Sequence, residues 1–178
     1  LDIKPSNLIG IPGTPLVRPL DFDLACRWSA MPELNHIFRT EVGYPFGTPS
    51  YTSPDHVYFD CNPSTDAYCL GLVIDEICHQ SLLNRRLCSA AANDVSVIDA
   101  VKNASAADIV AASTSDLAAH LKPMREVLEF LLVKDSDKRG MAEDAVAVLK
   151  DIARRQHIKL WGVLDWQYWR EARRKVFR

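Results

Sequence analysis

The chain has 178 residues, of which 48% are hydrophobic and 25% charged, with a formal net charge of −2 at pH 7. That length and balance describe one globular domain able to bury a sizeable core. The small net charge offers no basis for a nucleic-acid binder, and no apolar run approaches the roughly 20 residues needed to cross a bilayer.

The first six residues after Leu1 read Asp-Ile-Lys-Pro-Ser-Asn, from Asp2 to Asn7. They put a carboxylate, a cation and an amide on one short loop. Leu8 to Leu20 is apolar but punctuated by Pro12, Gly13 and Pro15, which predicts two short strands around a turn. Asp21 to Asp60 has six prolines or glycines and little periodicity, and so long an irregular stretch inside one domain is expected to be functional or mobile. From Ser64 to Leu83, Leu70, Val73, Ile74, Ile77 and Cys78 recur at helical spacing, with Ser64 or Thr65 as the expected N-cap. This helix is apolar on more than one face, which makes it the buried axis of the domain. Asn84 to Ser115 is alanine-rich and predicts one or two helices with a loop between them. Lys122 to Val133 predicts a helix with Pro123 in its first turn and Met124, Val127, Leu128, Leu131 and Leu132 facing the core. Met141 to Gln156 predicts another, acidic at its start and basic at its end, as the helix dipole favours. The five cysteines, Cys26, Cys61, Cys69, Cys78 and Cys88, contain no Cys-x-x-Cys pair. An odd count, with Cys69 and Cys78 inside a helix, predicts reduced thiols in an intracellular (cytoplasmic or nuclear) protein.

Five motifs occur in a telling order. After Asp2 to Asn7 comes Asp21-Phe22-Asp23, a second aspartate that adds a hard oxygen ligand suited to Mg²⁺. Then follow Gly47 to Asp55 (Gly-Thr-Pro-Ser-Tyr-Thr-Ser-Pro-Asp), Ser64 to Gly71 (Ser-Thr-Asp-Ala-Tyr-Cys-Leu-Gly) and Leu132 to Arg139 (Leu-Val-Lys-Asp-Ser-Asp-Lys-Arg). Together they resemble the C-terminal lobe of the eukaryotic protein kinases: catalytic loop, Asp-Phe-Gly, end of the activation segment, central helix and closing arginine turn. Lys4 resembles the lysine of the serine/threonine branch. His157 to Arg178, with Asp165-Trp166 and Arg174-Lys175-Val176, resembles the end of the catalytic core in the AGC group.

The resemblance implies a mainly α fold, a kinase-like C-terminal lobe over residues 1–156 with a small β-hairpin near the catalytic loop. It implies an aromatic and basic tail, 157–178, packed on that lobe. It further implies ATP and Mg²⁺ as cofactors and a protein substrate. In this reading Asp2 is the catalytic base and Lys4 offsets charge on the transferring phosphate. Thr48 bridges Asp2 and Lys4, while Asn7 and Asp21 hold the metal. Asp66 hydrogen-bonds the catalytic loop, and Asp55 pairs with Arg139. The tail's Trp161, Trp166 and Trp169 with its arginines reads as an amphipathic segment with solvated basic stems, not a nucleic-acid surface.

Several positions depart from the pattern. Leu1 stands where the family has an arginine that contacts an activation-segment phosphate, so neither Thr40 nor Tyr44 is assigned as a phosphosite. Asp23 replaces a glycine, and Asp55 a longer glutamate. The 178 residues contain no Gly-x-Gly-x-x-Gly and no Val-Ala-Ile-Lys, the parts with which an N-terminal lobe covers ATP. These residues alone are therefore expected to be inactive, with an apolar open cleft that the N-terminal lobe or a partner covers. The expectation is a serine/threonine kinase fragment, active in the full-length form. The alternative is a pseudokinase or scaffold lobe without catalysis. A helical binding domain unrelated to kinases would instead scatter Asp2, Asn7 and Asp21 in space.

Overall fold

A computed structural model describes residues 2–14, 17–42, 47–58, 60–79 and 122–157. Within them the chain is mainly helical, with one two-stranded antiparallel sheet. The expectations for Asn84 to Ser115, for Cys88 and for the tail beyond His157 fall outside the described residues.

Pro12 and Gly13 turn the chain between the strands. Gly13 has φ +71°, and Thr14 N donates to Ile11 O at 3.1 Å, the geometry of a turn with proline second and glycine third. Strand β1 (Leu8–Gly10) pairs with β2 (Val17–Pro19) in the register Leu8↔Pro19, Ile9↔Arg18, Gly10↔Val17. Ile9 and Val17 are 49% and 60% exposed, so the hairpin shows apolar surface.

The segment read as irregular carries more helix than its composition signals. Helix α1 (Met31–Ile37) runs directly into a π-helical turn, Phe38–Val42, and α2 spans Pro54–Tyr58. Seven- and five-residue helices are too short to show a periodic apolar stripe, and tertiary contacts hold them instead.

Helix α3 (Pro63–His79) is the expected axis. Its cap is Asn62, not Ser64 or Thr65. Asn62 Oδ1 accepts from Ser64 N at 2.9 Å, and Asn62 N donates to Thr65 Oγ1 at 2.9 Å. Pro63 explains the shift, since proline favours the first helical position and leaves the cap to the residue before it. Helix α4 (Met124–Leu131) begins after Pro123, which sits at the cap and not inside the first turn. Helix α5 (Ala142–Arg155) has Glu143 and Asp144 in its first turn and Arg154 and Arg155 in its last, as the dipole favours.

These three helices make the core. Tyr68 and Leu72 of α3 pack on Leu128 and Leu132, and Ala67 meets Val127, Leu131, Ala145 and Ile152. Val127, Leu128, Leu131 and Leu132 are wholly buried. At Gly71 a Cβ would stand 2.8 Å from Leu132 Cδ2 and 3.0 Å from Leu131 Cβ, so a side chain there would crowd the close approach of α3 to the end of α4. Ile77, expected in the core, is 70% exposed. It continues the stripe Pro63, Asp66, Leu70 and Ile74, none of which is fully buried. No described helix is long and apolar enough to cross a membrane.

The thiols divide by burial. Cys61 and Cys69 are enclosed, while Cys26 is exposed. Burial pushes the Cys61 thiol up to about 12, with the charge of Asp55 adding to the effect. Burial likewise pushes Cys69 up, with Asp66 contributing. Since the thiolate is the reactive species, a thiol reagent should modify Cys26 first among the described cysteines. It should reach Cys61 and Cys69 only after denaturation. Peptide mapping of timed labelling checks this, and early modification of Cys69 would contradict the packing of α3.

Candidate active site

The loop before β1 is shaped by Pro5, which opens a single 3-10 turn, Pro5–Asn7, closed by Asn7 N donating to Lys4 O at 3.0 Å. The turn folds Asn7 back over the loop's start. Its Nδ2 donates to Asp2 O at 2.9 Å and to Asp2 Oδ2 at 3.2 Å. Lys4 comes back as well, with Nζ 2.7 Å from Asp2 Oδ2. A base, a cation and an amide thus gather on six residues.

The hairpin brings the second aspartate to them. Its register places Pro19 across from Leu8, and Leu20 N donates to Asn7 O at 2.7 Å. Asp21 therefore emerges beside Asn7. It has φ +57°, the left-handed conformation that aspartate tolerates better than most residues. Strained backbone of this kind clusters at functional sites. Asp23 N lies 3.4 Å from Asp21 Oδ1, so the residue in glycine's place bonds through its amide to the carboxylate it follows. Phe22 is 65% exposed.

Thr48 arrives from 44 residues beyond Lys4 and completes the arrangement. Lys4 Nζ donates to Thr48 Oγ1 at 2.7 Å, and Thr48 N donates to Asp2 Oδ1 at 2.9 Å. Thr48 thus touches both Asp2 and Lys4. Burial pushes the Asp2 carboxyl up, but hydrogen bonds from Lys4 and Thr48, with the charge of Lys4, hold it below its ordinary value. Asp2 is accordingly a carboxylate at neutral pH.

Asp2, Asn7, Asp21 and Asp66 line one cavity of about 400 Å³, walled on its apolar side by Phe22 and Met31. A scatter of these residues, as an unrelated helical domain requires, is not what the chain forms. Sequence reasoning missed Cys26, Met31 and Asn62 as further lining residues. Each belongs to a stretch without a motif, and only the fold of α1 against the start of α3 makes them neighbours.

Among the described residues no three His, Cys, Asp or Glu side chains gather as a metal cluster. The donor set for Mg²⁺ is one carboxylate, Asp21, and one amide. Asn7 commits its Nδ2 to Asp2 and so has its Oδ1 to offer a cation. Mg²⁺ usually binds through one or two protein oxygens, with phosphate and water completing its shell, so this pair fits that ion.

The end of the segment is pinned to the core. Asp55, in α2, meets Arg139 through a buried two-pronged pair, and Arg139 also donates to Ser64 O at 3.0 Å, Val133 O at 2.7 Å and Lys134 O at 3.1 Å. The shorter side chain of Asp55 still makes the contact. Tyr51, the tyrosine of the Gly47 to Asp55 motif, packs on the Tyr68–Leu128 cluster and hydrogen-bonds Glu76 of α3. Thr40 is exposed, its hydroxyl donating to His36 O at 2.9 Å. Tyr44 lies outside the described residues.

Comparison with known proteins gives no counterpart: no family model, no curated protein and no solved structure matches the chain.

Proposed function

We propose that these residues form the catalytic-loop half of a serine/threonine protein kinase, a C-terminal lobe that transfers phosphate from ATP to protein hydroxyls in the full-length protein. The observation that carries the reading is the convergence of Asp2, Lys4 and Thr48 on one carboxylate beside Asn7 and Asp21, around a single cavity. Phosphoryl transfer asks for positioning and charge neutralisation more than covalent chemistry, and each residue supplies one part. Asp2 accepts the proton of a serine or threonine hydroxyl as its oxygen bonds to the γ-phosphorus. The bond from that phosphorus to the bridging oxygen breaks, and ADP leaves. Lys4 balances charge on the transferring group, and Thr48 holds Lys4 and Asp2 in register. Asn7 and Asp21 would hold Mg²⁺, which when bound neutralises the phosphates.

The test is Mg²⁺-dependent phosphorylation of a protein substrate by the full-length protein. Asp21→Asn should lower it about 10²–10³-fold, the usual effect of removing one charge-stabilising group. The 178 residues by themselves should be inactive. Equal activity in the Asp21→Asn variant would sink the reading.

A second reading is favoured by a specific observation. Ile9, Val17, Leu20 and Phe22 are all more than two-fifths exposed on the hairpin and at the cavity's mouth, and exposed apolar clusters mark interaction surfaces. Either the N-terminal lobe or a protein partner covers them. With Asp23 in glycine's place, a lobe kept for binding alone would look the same. Unchanged cell function in an Asp2→Asn variant would favour it.

A further inference from the structure

Among the points that hold the segment from Asp21 to Asp55, one lies in α1. Asn35, in α1, donates from Nδ2 to Cys61 O at 2.9 Å and accepts at Oδ1 from Cys61 N at 3.2 Å. One planar amide thus satisfies both backbone polar groups of a single residue, as a neighbouring strand would. Cys61 is 2% exposed, so these peptide groups have little water to turn to, and losing the amide would leave them unmet.

The surroundings tie this clasp to the active site. Met31, one turn before Asn35, is buried against Cys61, with Leu24 packed on the pair. Met31 lines the main cavity and also a smaller one of about 290 Å³ on the far side of the clasp. Asn62, next to Cys61, lines both cavities and caps α3. The clasp lines the smaller cavity, and its neighbours Met31 and Asn62 line both, while Leu24, in the stretch that follows Asp21, packs on Met31 and Cys61.

We infer that Asn35 is a positioning residue: its two-way bond to the Cys61 backbone seats Met31 and Leu24, and through them fixes the Asp21 to Cys26 stretch at the cleft. The inference rests on the kinase reading for what the cleft does. It deepens that reading, because it describes a segment ordered by its own side chain.

Asparagine is the side chain that fits this task. Asn35→Asp keeps the shape but removes the Nδ2 donor, leaving two oxygens facing each other at the clasp. Asn35→Ala removes both bonds. The experiment is amide hydrogen exchange by mass spectrometry on the full-length protein and both variants, with Mg²⁺–ADP affinity measured alongside. Loss of hydrogen bonds to an enclosed peptide predicts exchange about tenfold faster across Leu24 to Ile37. The core around Tyr68 and Leu128 should be unchanged, and Mg²⁺–ADP should bind about tenfold more weakly. A purely structural contact would not single out nucleotide affinity while sparing the core. Should Asn35→Ala fail to fold, the isosteric Asn35→Asp decides. Unchanged exchange over Leu24 to Ile37 overturns the inference, as does faster exchange with unaltered Mg²⁺–ADP affinity. If the unsubstituted full-length protein binds no Mg²⁺–ADP, the kinase reading loses support. Exchange at Leu24 to Cys26 then decides the clasp alone, acceleration upholding it and its absence overturning it.

Discussion

Arg139→Ala should destabilise the chain by ~3–5 kcal/mol, the cost of breaking a buried ion pair by removing one partner. The Arg139 side chain is wholly enclosed and Asp55 is 7% exposed, so the substitution leaves a carboxylate with neither water nor its cation. The guanidinium also serves three backbone carbonyls, of Ser64, Val133 and Lys134, and lies 4.9 Å above the Tyr68 ring. Its fork reaches the end of the Asp21–Asp55 segment, the first turn of α3 and the turn after α4 together. Arg139→Lys should recover little, because one ammonium cannot present donors in those directions at once. Replacing Arg139 and Asp55 together with apolar residues of similar volume should cost less than Arg139→Ala, since no charge is then stranded. Urea unfolding measures all three. A loss within about 0.5 kcal/mol for Arg139→Ala, the range of ordinary surface substitutions, would mean that the pair does not hold the segment to the core.

What the sequence made legible follows the range of each interaction. The hairpin was readable from Pro12 and Gly13, because turn chemistry is local. The face of α4 was readable from Val127, Leu128 and Leu131, because burial on one side imposes a helical period. Asn62 was missed as a cap because Ser64 and Thr65 are equally good caps by type, and only the weight of Pro63 at the first helical position decides among them. Helix α1 was missed because seven residues cannot display a period. The Asn35 clasp was illegible for a different reason: its acceptor and donor are the backbone of Cys61, which carries no side-chain signal, 26 residues away. The site residues were visible only through their spacing in motifs. Their convergence depends on strand register and on Thr48 returning to Lys4, which no local pattern encodes.

On the proposed kinase reading, Asp2→Asn should lower Mg²⁺–ATP-dependent protein phosphorylation by the full-length protein about 10²–10⁴-fold, the range for loss of a positioned general base. The change is nearly isosteric, yet it sets an NH₂ where Lys4 or the Thr48 amide now donates at 2.7 or 2.9 Å. Donor then faces donor on at least one side. Because Asp2 would touch the substrate hydroxyl and Asp21 the nucleotide end, Asp2→Asn should cut kcat while leaving the KM for ATP close to its starting value. Asp21→Asn should disturb both. The pH profile adds a separate check. The folded carboxyl of Asp2 is held below its ordinary value, so it stays ionised through the neutral range, and the rate should fall only once the pH drops below the ordinary carboxylate range. The sign for stability is the same: the Asp2–Lys4–Thr48 contacts contribute fully above the carboxyl's unfolded value and are lost as pH falls through its lower folded one. A rate limb near neutrality that vanished in Asp2→Asn would contradict this assignment, because the depressed carboxyl cannot titrate there. Full phosphorylation activity in the Asp2→Asn variant would remove the base from the site. The convergence around Asp2 would then be a structural clamp joining the loop to the Thr48 turn, and the exposed apolar rim of Ile9, Val17, Leu20 and Phe22 would be the surface to which partners should be sought.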